Sequence, residues 1–134
     1  MARSLDIPGV VSSGLGKGAY FISLAWVQTR LIELIGVKPY PGTLNLRVPN
    51  DLRDELFALR KLFTPVLAPH GGICPAYLLA VNLRPTAGPE VAAWAVLPEA
   101  TVHADTIEVV SQYSLRDHLG LKDGDQVELK VRIN

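Results

Sequence analysis

Alternation between apolar and polar side chains dominates the second half of the chain and predicts strands. Residues 127–133 alternate in this way directly after the turn signal Asp123-Gly124. Two apolar runs, Tyr77 to Leu83 and Val91 to Leu97, flank a segment rich in proline and glycine and predict a hairpin. Shorter strands are predicted at 10–13, 43–48 and 107–111, and residues 20–24 form a further β-prone segment.

Helical periodicity is confined to three short stretches. Between Ala25 and Ile35 four apolar residues can share one helical face, and Gly36 follows where a helix end favours positive φ. Those four are Trp26, Leu31, Leu34 and Ile35. Asn50 is a predicted N-cap of a second helix, whose apolar stripe is Leu52, Leu56, Leu59 and Leu62. Ser114 with Asp117 predicts a capping box that opens one helical turn through Leu119.

These elements predict a mainly β fold with two or three short helices. The chain has 134 residues, so we expect one domain over residues 1–134. About six strands in so short a chain favour a closed or nearly closed barrel, because closure removes edge strands that few other residues could cover.

Charge and composition narrow the function classes. Thirteen basic residues balance thirteen acidic ones, so no global field attracts nucleic acid or an anionic membrane. The N-terminal sequence lacks the apolar stretch of a signal peptide, and we expect a cytoplasmic location. Cys74 is the only cysteine, which excludes an internal disulfide, and three histidines with one cysteine show no zinc-ligand spacing.

The segment Gly14-Leu15-Gly16-Lys17-Gly18 follows the first predicted strand with three alternating glycines. Glycines at this density let backbone N–H groups approach a phosphate, and Lys17 could add a positive charge. The spacing matches neither a P-loop nor a dinucleotide fingerprint. A flexible hairpin turn explains the segment equally well.

Thr43 and Asn45 lie on the same face of a predicted strand, opposite Leu44 and Leu46. A hydroxyl and an amide carbonyl are neutral oxygen donors that suit Mg²⁺ when substrate phosphates supply the negative ligands. An ordinary polar outer face is the alternative interpretation.

Thr101, His103 and Glu108 form a polar cluster around a late turn. A carboxylate such as Glu108 could accept the proton of an attacking hydroxyl, and a threonine could anchor a polar ligand. A lone histidine after a strand is more often a surface or hydrogen-bonded residue than a catalyst, which favours that interpretation of His103, and Asp105 is the alternative carboxylate.

In this order along the chain, these segments resemble the archaeal-type CTP-dependent riboflavin kinases. The matching blocks are 13–24, 36–46, 98–103, 107–110, 115–119 and 121–125. Pro39-Tyr40-Pro41-Gly42-Thr43-Leu44-Asn45-Leu46 is the most specific of them.

The resemblance implies a six-stranded cradle-loop (RIFT-type) barrel that transfers a phosphoryl group from CTP to riboflavin, giving FMN and CDP, with Mg²⁺ as cofactor. It implies that Thr43 and Asn45 bind the metal and that Thr101 and Glu108 contact riboflavin, with Glu108 as the candidate catalytic residue. The implied nucleotide-binding residues are Gly14, Leu15, Gly16, Lys17, Gly18, Ala19, Tyr113, Ser114, Leu115 and Arg116. We expect a monomer that binds neither nucleic acid nor membrane.

Two other functions fit parts of the sequence. Residues 119–131 resemble the swapped-hairpin barrels of small DNA-binding regulators, although zero net charge argues against nucleic acid as a ligand. A flavin or nucleotide sensor without turnover would use nearly the same residues as the kinase.

Overall fold

The computed structural model describes residues 3–13, 22–58, 64–67, 76–98 and 105–133. The strands within them are β1 (Arg3–Ser12), β2 (Leu44–Arg47), β3 (Thr64–Leu67), β4 (Ala76–Pro85), β5 (Val91–Pro98), β6 (Thr106–Val110) and β7 (Gln126–Ile133). The helices are α1 (Ala25–Ile35), α2 (Asn50–Ala58) and α3 (Leu115–Leu119). None of the helices in these ranges is long and apolar enough to span a membrane.

Six of the strands close an antiparallel barrel in the order β4-β5-β6-β2-β1-β7, because β7 pairs back onto β4. β3 lies outside this ring and pairs with the first residues of β4, whereas β7 pairs with the later residues Val81 to Pro85. The predicted mainly β, six-stranded barrel is therefore confirmed. β3 is an additional strand that the alternation pattern did not predict.

Inward-pointing residues of the strands fill the barrel. Ile7, Leu46, Leu83, Leu129 and Val131 are each 0% exposed and belong to one hydrophobic cluster. Fully burying a side chain of this size stabilises the fold by roughly 1.5–3 kcal/mol. The intervening residues point outward, so the outer face of the barrel is where polar strand residues become available to a ligand.

Helix α1 has the predicted bounds and lies on the outer face of the barrel. Gly36 has φ of 77°, and its N–H donates to the Ile32 carbonyl, which confirms the predicted helix end. The buried residues of α1 are Val27 and Leu31, which pack with the outward-facing Leu78 and Val96 in a second hydrophobic cluster. Val27 was not in the predicted stripe, and Trp26 is only partly buried.

Helix α2 contributes Leu56 and Phe57 to the main core, and its Arg53 is buried as well. The Arg53 Nε donates to the Thr106 carbonyl at 3.3 Å, and its guanidinium lies 4.1 Å from the centre of the Phe57 ring. Burial lowers the pKa of Arg53, and nearby carboxylates partly oppose this shift. Arg53 thereby ties α2 to the start of β6. Leu59 and Leu62 of the predicted stripe lie outside the described residues.

Strand β1 is longer than predicted and begins at Arg3 rather than at Val10. It pairs with β7 from Arg3 to Val10 but with β2 only from Val10 to Ser12. Pro8 therefore lies where β2 does not flank β1, which is a position that tolerates a residue without an N–H. Proline next to glycine hid this half of the strand from the alternation pattern.

Two local predictions are wrong. Ile22 and Ser23 are helical rather than extended, and Ile22 is buried, with its carbonyl accepting from the Gln28 Nε2 at 2.7 Å. Ser114 precedes α3 as predicted, but its side chain makes no capping hydrogen bond, so the capping box does not form. Other contacts hold α3 in place, since Leu115 is buried in the core and Arg116 forms an ion pair.

Candidate active site

A row of polar residues crosses the outer face of the barrel where β1, β2 and β6 run side by side. Ser12 is the register partner of Asn45, and Asn45 is the register partner of Glu108. Register partners in antiparallel strands point to the same face with their Cβ atoms about 4.5–5.5 Å apart. The side chains of Ser12, Asn45 and Glu108, which we call the polar row, are therefore immediate neighbours.

The polar row is outward-facing because the residues on either side of it fill the core. Leu44 and Leu46 flank Asn45 and are buried, as Ile107 and Val109 are on either side of Glu108. Asn45 and Glu108 are themselves half-buried. The predicted alternation along residues 44–46 is confirmed, whereas the role of Asn45 as a metal ligand stays a prediction.

Thr43 lies immediately before β2, at the end of a tight turn. The Tyr40 N–H donates to the Ser111 carbonyl at 2.8 Å, and the Gly42 N–H donates to the Tyr40 carbonyl at 2.8 Å. A Cβ on Gly42 would lie 2.9 Å from a carbon of the Tyr40 ring. The Pro-Tyr-Pro-Gly string thus forms a turn, anchored at the end of β6, that delivers Thr43 and Asn45 to the site.

A buried apolar cluster adjoins the polar row on its far side. Glu108 is the register partner of Val96 on β5, and Val96 is the partner of Leu78 on β4. Val96 and Leu78 are both buried in the cluster that α1 covers. Glu108 therefore stands at the boundary between a polar strip and an apolar one.

Three residues from distant parts of the chain meet beside the other end of the polar row. The Ser13 hydroxyl donates to Asp123 Oδ2 at 2.5 Å, and the Arg116 guanidinium donates to Asp123 Oδ1 at 2.9 Å. We call Ser13, Arg116 and Asp123 the entry clamp. Arg116 also donates to the Ser12 carbonyl at 3.3 Å, which joins the entry clamp to the polar row. These hydrogen bonds, first that from Ser13 and then that from Arg116, lower the pKa of Asp123.

Residues 113–116, predicted to line a nucleotide site, have four different environments. Tyr113 is exposed and its ring stacks on His118 with centroids 4.3 Å apart. Ser114 precedes α3, Leu115 is buried in the core, and Arg116 belongs to the entry clamp. The structure thus brings this segment next to the polar row, but it commits the Arg116 side chain to Asp123 and Ser12.

The other predicted site residues lie outside the described residues: Gly14, Leu15, Gly16, Lys17, Gly18, Ala19 and Thr101, together with His103. The glycine-rich segment follows Ser13 directly in sequence. Its predicted contact with a nucleotide stays a prediction.

The alternative carboxylate Asp105 lies apart from the polar row. It precedes β6, is exposed, and lines an open cleft of about 720 Å³ together with Arg47, Arg84 and Gln126. Neither Asn45 nor Glu108 lines that cleft. We place the candidate chemistry at the polar row, because there the convergent oxygen donors lie, and this placement favours Glu108 over Asp105.

The donor chemistry of the polar row fits a hard divalent cation. Asn45 brings an amide oxygen, and Thr43 just before β2 adds a hydroxyl, which are neutral oxygen ligands that Mg²⁺ takes alongside phosphates and waters. The Glu108 carboxylate lies beside Asn45 as a separate group. Within the described ranges, no three His, Cys, Asp or Glu side chains gather as metal ligands.

Sequence reasoning missed Ser12, Ser13 and Asp123 as site residues. The sequence predicts Asp123 as part of a turn and of the matching block 121–125, and the turn is confirmed, since Gly124 has φ of 92°. No local pattern could have paired Asp123 with a residue 110 positions away.

A family model matches most of the chain. The family model described as "CTP-dep_RFKase: Domain of unknown function DUF120" matches residues 11–131. That range contains the polar row, the entry clamp and the turn before β2.

Several curated relatives are similar over nearly the whole chain. A riboflavin kinase of Methanopyrus kandleri is 34% identical over 92% of this chain and 80% of its own length. A riboflavin kinase of Archaeoglobus fulgidus is 37% identical over 96% of this chain, and one of Pyrobaculum aerophilum is 40% identical over 96%. The chain spans 55% and 61% of the lengths of these last two relatives.

Proposed function

Because the chain belongs to the CTP-dependent riboflavin kinase family, we propose that it transfers the terminal phosphoryl group of CTP to the 5′-hydroxyl of riboflavin, giving FMN and CDP. The observation that carries the proposal is the pairing of Asn45 with Glu108 across β2 and β6. The pairing makes an amide oxygen and a carboxylate neighbours, which supports a metal ligand beside a group that would meet the acceptor hydroxyl.

Phosphoryl transfer asks for positioning and charge neutralisation more than for covalent chemistry. In the proposed arrangement Thr43 and Asn45 hold Mg²⁺, which when bound neutralises charge on the transferring phosphoryl group. Glu108 orients the acceptor hydroxyl and accepts its proton. An ordinary glutamate, with a pKa of about 4.3, is a weak base for an alcohol, so orientation contributes to its role.

Riboflavin as the acceptor is supported by the family membership and by the names of the relatives. The phosphate acceptor of riboflavin is the hydroxyl at the end of its polar ribityl chain. That end of the ligand would meet the polar row, where the Glu108 carboxylate lies beside Asn45.

The choice of CTP as donor rests on the family description and on the sequence resemblance. Residues 113–116 and the glycine-rich segment are the proposed nucleotide-binding residues, and we propose that the protein acts as a monomer. Arg116 is held beside Ser12 in the polar row, which is consistent with a nucleotide bound near the metal ligands.

A coupled assay with riboflavin, Mg²⁺ and each of CTP, ATP, GTP and UTP tests the proposal. We expect FMN formation to be fastest with CTP and to stop when EDTA removes the metal. Faster turnover with another triphosphate would overturn CTP as donor while leaving the kinase reaction intact. Binding of riboflavin without turnover by any triphosphate would instead indicate a sensor, and salt-dependent DNA binding would indicate a regulator.

A further inference from the structure

We propose that Asp123 is a positioning residue for nucleotide binding, which holds residues 113–116 against the end of β1. The inference rests on the proposed function, because it takes those residues as part of the nucleotide site. Asp123 itself touches no proposed substrate and acts through Arg116 and Ser13.

The two oxygens of the Asp123 carboxylate connect two different elements. Oδ2 accepts from Ser13 at the end of β1, and Oδ1 accepts from Arg116 on α3. The same guanidinium reaches the Ser12 carbonyl, and Ser12 is the register partner of Asn45. One carboxylate thus fixes the Arg116 side chain relative to the proposed metal ligand.

The turn that carries Asp123 is held by other groups. The Val11 N–H donates to the Asp125 carbonyl at 2.9 Å, and the Gly124 N–H donates to the Val11 carbonyl at 2.8 Å. The Asp125 carboxylate accepts from the Lys122 N–H at 2.8 Å and closes the turn from within. The Asp123 side chain is therefore not needed to form the turn, and its carboxylate is left to orient Arg116 and Ser13.

Exposure separates a positioning role from a stabilising one. The Arg116 and Asp123 side chains are 40% and 56% exposed. An ion pair exposed to this degree contributes little to global stability. The same contact still restricts a long, flexible arginine to one position, which matters to a ligand that needs that position.

The test compares Asp123→Asn with the control Asp117→Asn, which removes the same charge from an exposed residue of α3. CDP affinity in the presence of Mg²⁺ is measured by calorimetry, and KM is measured separately for CTP and riboflavin. For Asp123→Asn we expect CDP affinity and the KM for CTP to worsen about three- to tenfold, the size of one or two lost hydrogen bonds. The KM for riboflavin and the melting temperature should hardly change, and the control should match the wild type.

Two further variants test whether Asp123 acts on CDP binding through Arg116 and Ser13. Because Asp123 acts in part through Arg116, the double variant Arg116→Ala/Asp123→Asn should weaken CDP binding by less than the product of the two single effects. Ser13→Ala removes the other hydrogen bond and should weaken CDP binding in the same direction without unfolding the protein.

Three results would overturn the inference: equal weakening of both substrates, a lower melting temperature with unchanged CDP affinity, or tighter CDP binding by Asp123→Asn. The last would mean that Asp123 competes with phosphate for Arg116. A wild-type protein that neither binds CDP nor makes FMN would overturn the proposed function instead, so the two failures are distinguishable.

Discussion

The pairing of Asn45 with Glu108 makes a quantitative prediction about how their losses combine. Asn45→Ala removes one oxygen donor from the proposed metal site and should lower kcat about 10²-fold, the usual effect of removing a positioned charge-stabilising group. Glu108→Gln keeps the shape of the side chain but deletes its charge, and should lower kcat by about 10²-fold if the carboxylate accepts a proton. Each loss corresponds to about 2.7 kcal/mol of transition-state stabilisation.

The register decides what the double variant should do. Asn45 and Glu108 are direct cross-strand partners, so their Cβ atoms are about 4.5–5.5 Å apart, well inside the roughly 7–10 Å beyond which mutational effects become additive. If the two roles are independent, the two losses multiply, and the double variant should lose about 10⁴-fold in kcat. If both residues serve one metal–hydroxyl centre, the double variant should lose only about 10²- to 10³-fold.

The assay is FMN formation at saturating riboflavin and CTP across a Mg²⁺ titration, with urea unfolding measured on each variant. Arg47→Ala is the matched control, because Arg47 lies on the same strand and the same outer face but is exposed and beyond the polar row. We expect the control to keep normal kcat and all variants to stay within about 1 kcal/mol of wild-type stability. Multiplicative losses, or near-normal activity of Asn45→Ala at low Mg²⁺, would refute the shared centre. A loss confined to the KM for riboflavin in Glu108→Gln would make Glu108 a binding residue.

Three further predictions concern the nucleotide segment, the buried arginine and the entry clamp. Gly16→Val should weaken CDP binding more than riboflavin binding, because a side chain keeps the backbone from the phosphates; equal effects in separate titrations would indicate a structural turn. Arg53→Ala should lower the free energy of unfolding by about 1–3 kcal/mol in urea, because it removes a buried hydrogen bond to the Thr106 carbonyl and the contact with Phe57; an unchanged unfolding midpoint would contradict the burial. Because the folded protein lowers the pKa of Asp123 below its ordinary value of 3.8, its stabilising effect is present above that value and is lost as the pH falls through the lower folded value. The difference in melting temperature between wild type and Asp123→Asn, however small, should therefore shrink below about pH 4 and stay constant from about pH 5 upward; a difference that grows in acid would contradict this assignment.

Local sequence determined those features that a short stretch of chain specifies by itself. The β4–β5 hairpin follows from two apolar runs around a proline- and glycine-rich turn, and the end of α1 follows from Gly36, whose positive φ costs least in glycine. The outward position of Asn45 follows from the alternation of Leu44 and Leu46, which must both reach the core. In each case the deciding interactions lie within a few residues of one another.

Tertiary structure alone decided which of these features meet. The strand order of the barrel places β6 next to β2, although two other barrel strands separate them along the chain, and β2 next to β1, although helix α1 lies between them, and so makes Ser12, Asn45 and Glu108 one row. Register between such strands depends on the packing of the whole core, which no local window contains. The same holds for Asp123, whose partner Ser13 is 110 residues away, and for Ser114, whose predicted cap was not needed once Leu115 and Arg116 were anchored elsewhere. The sequence alone thus identifies the residue types of the site, whereas the order and register of the barrel strands make those residues neighbours.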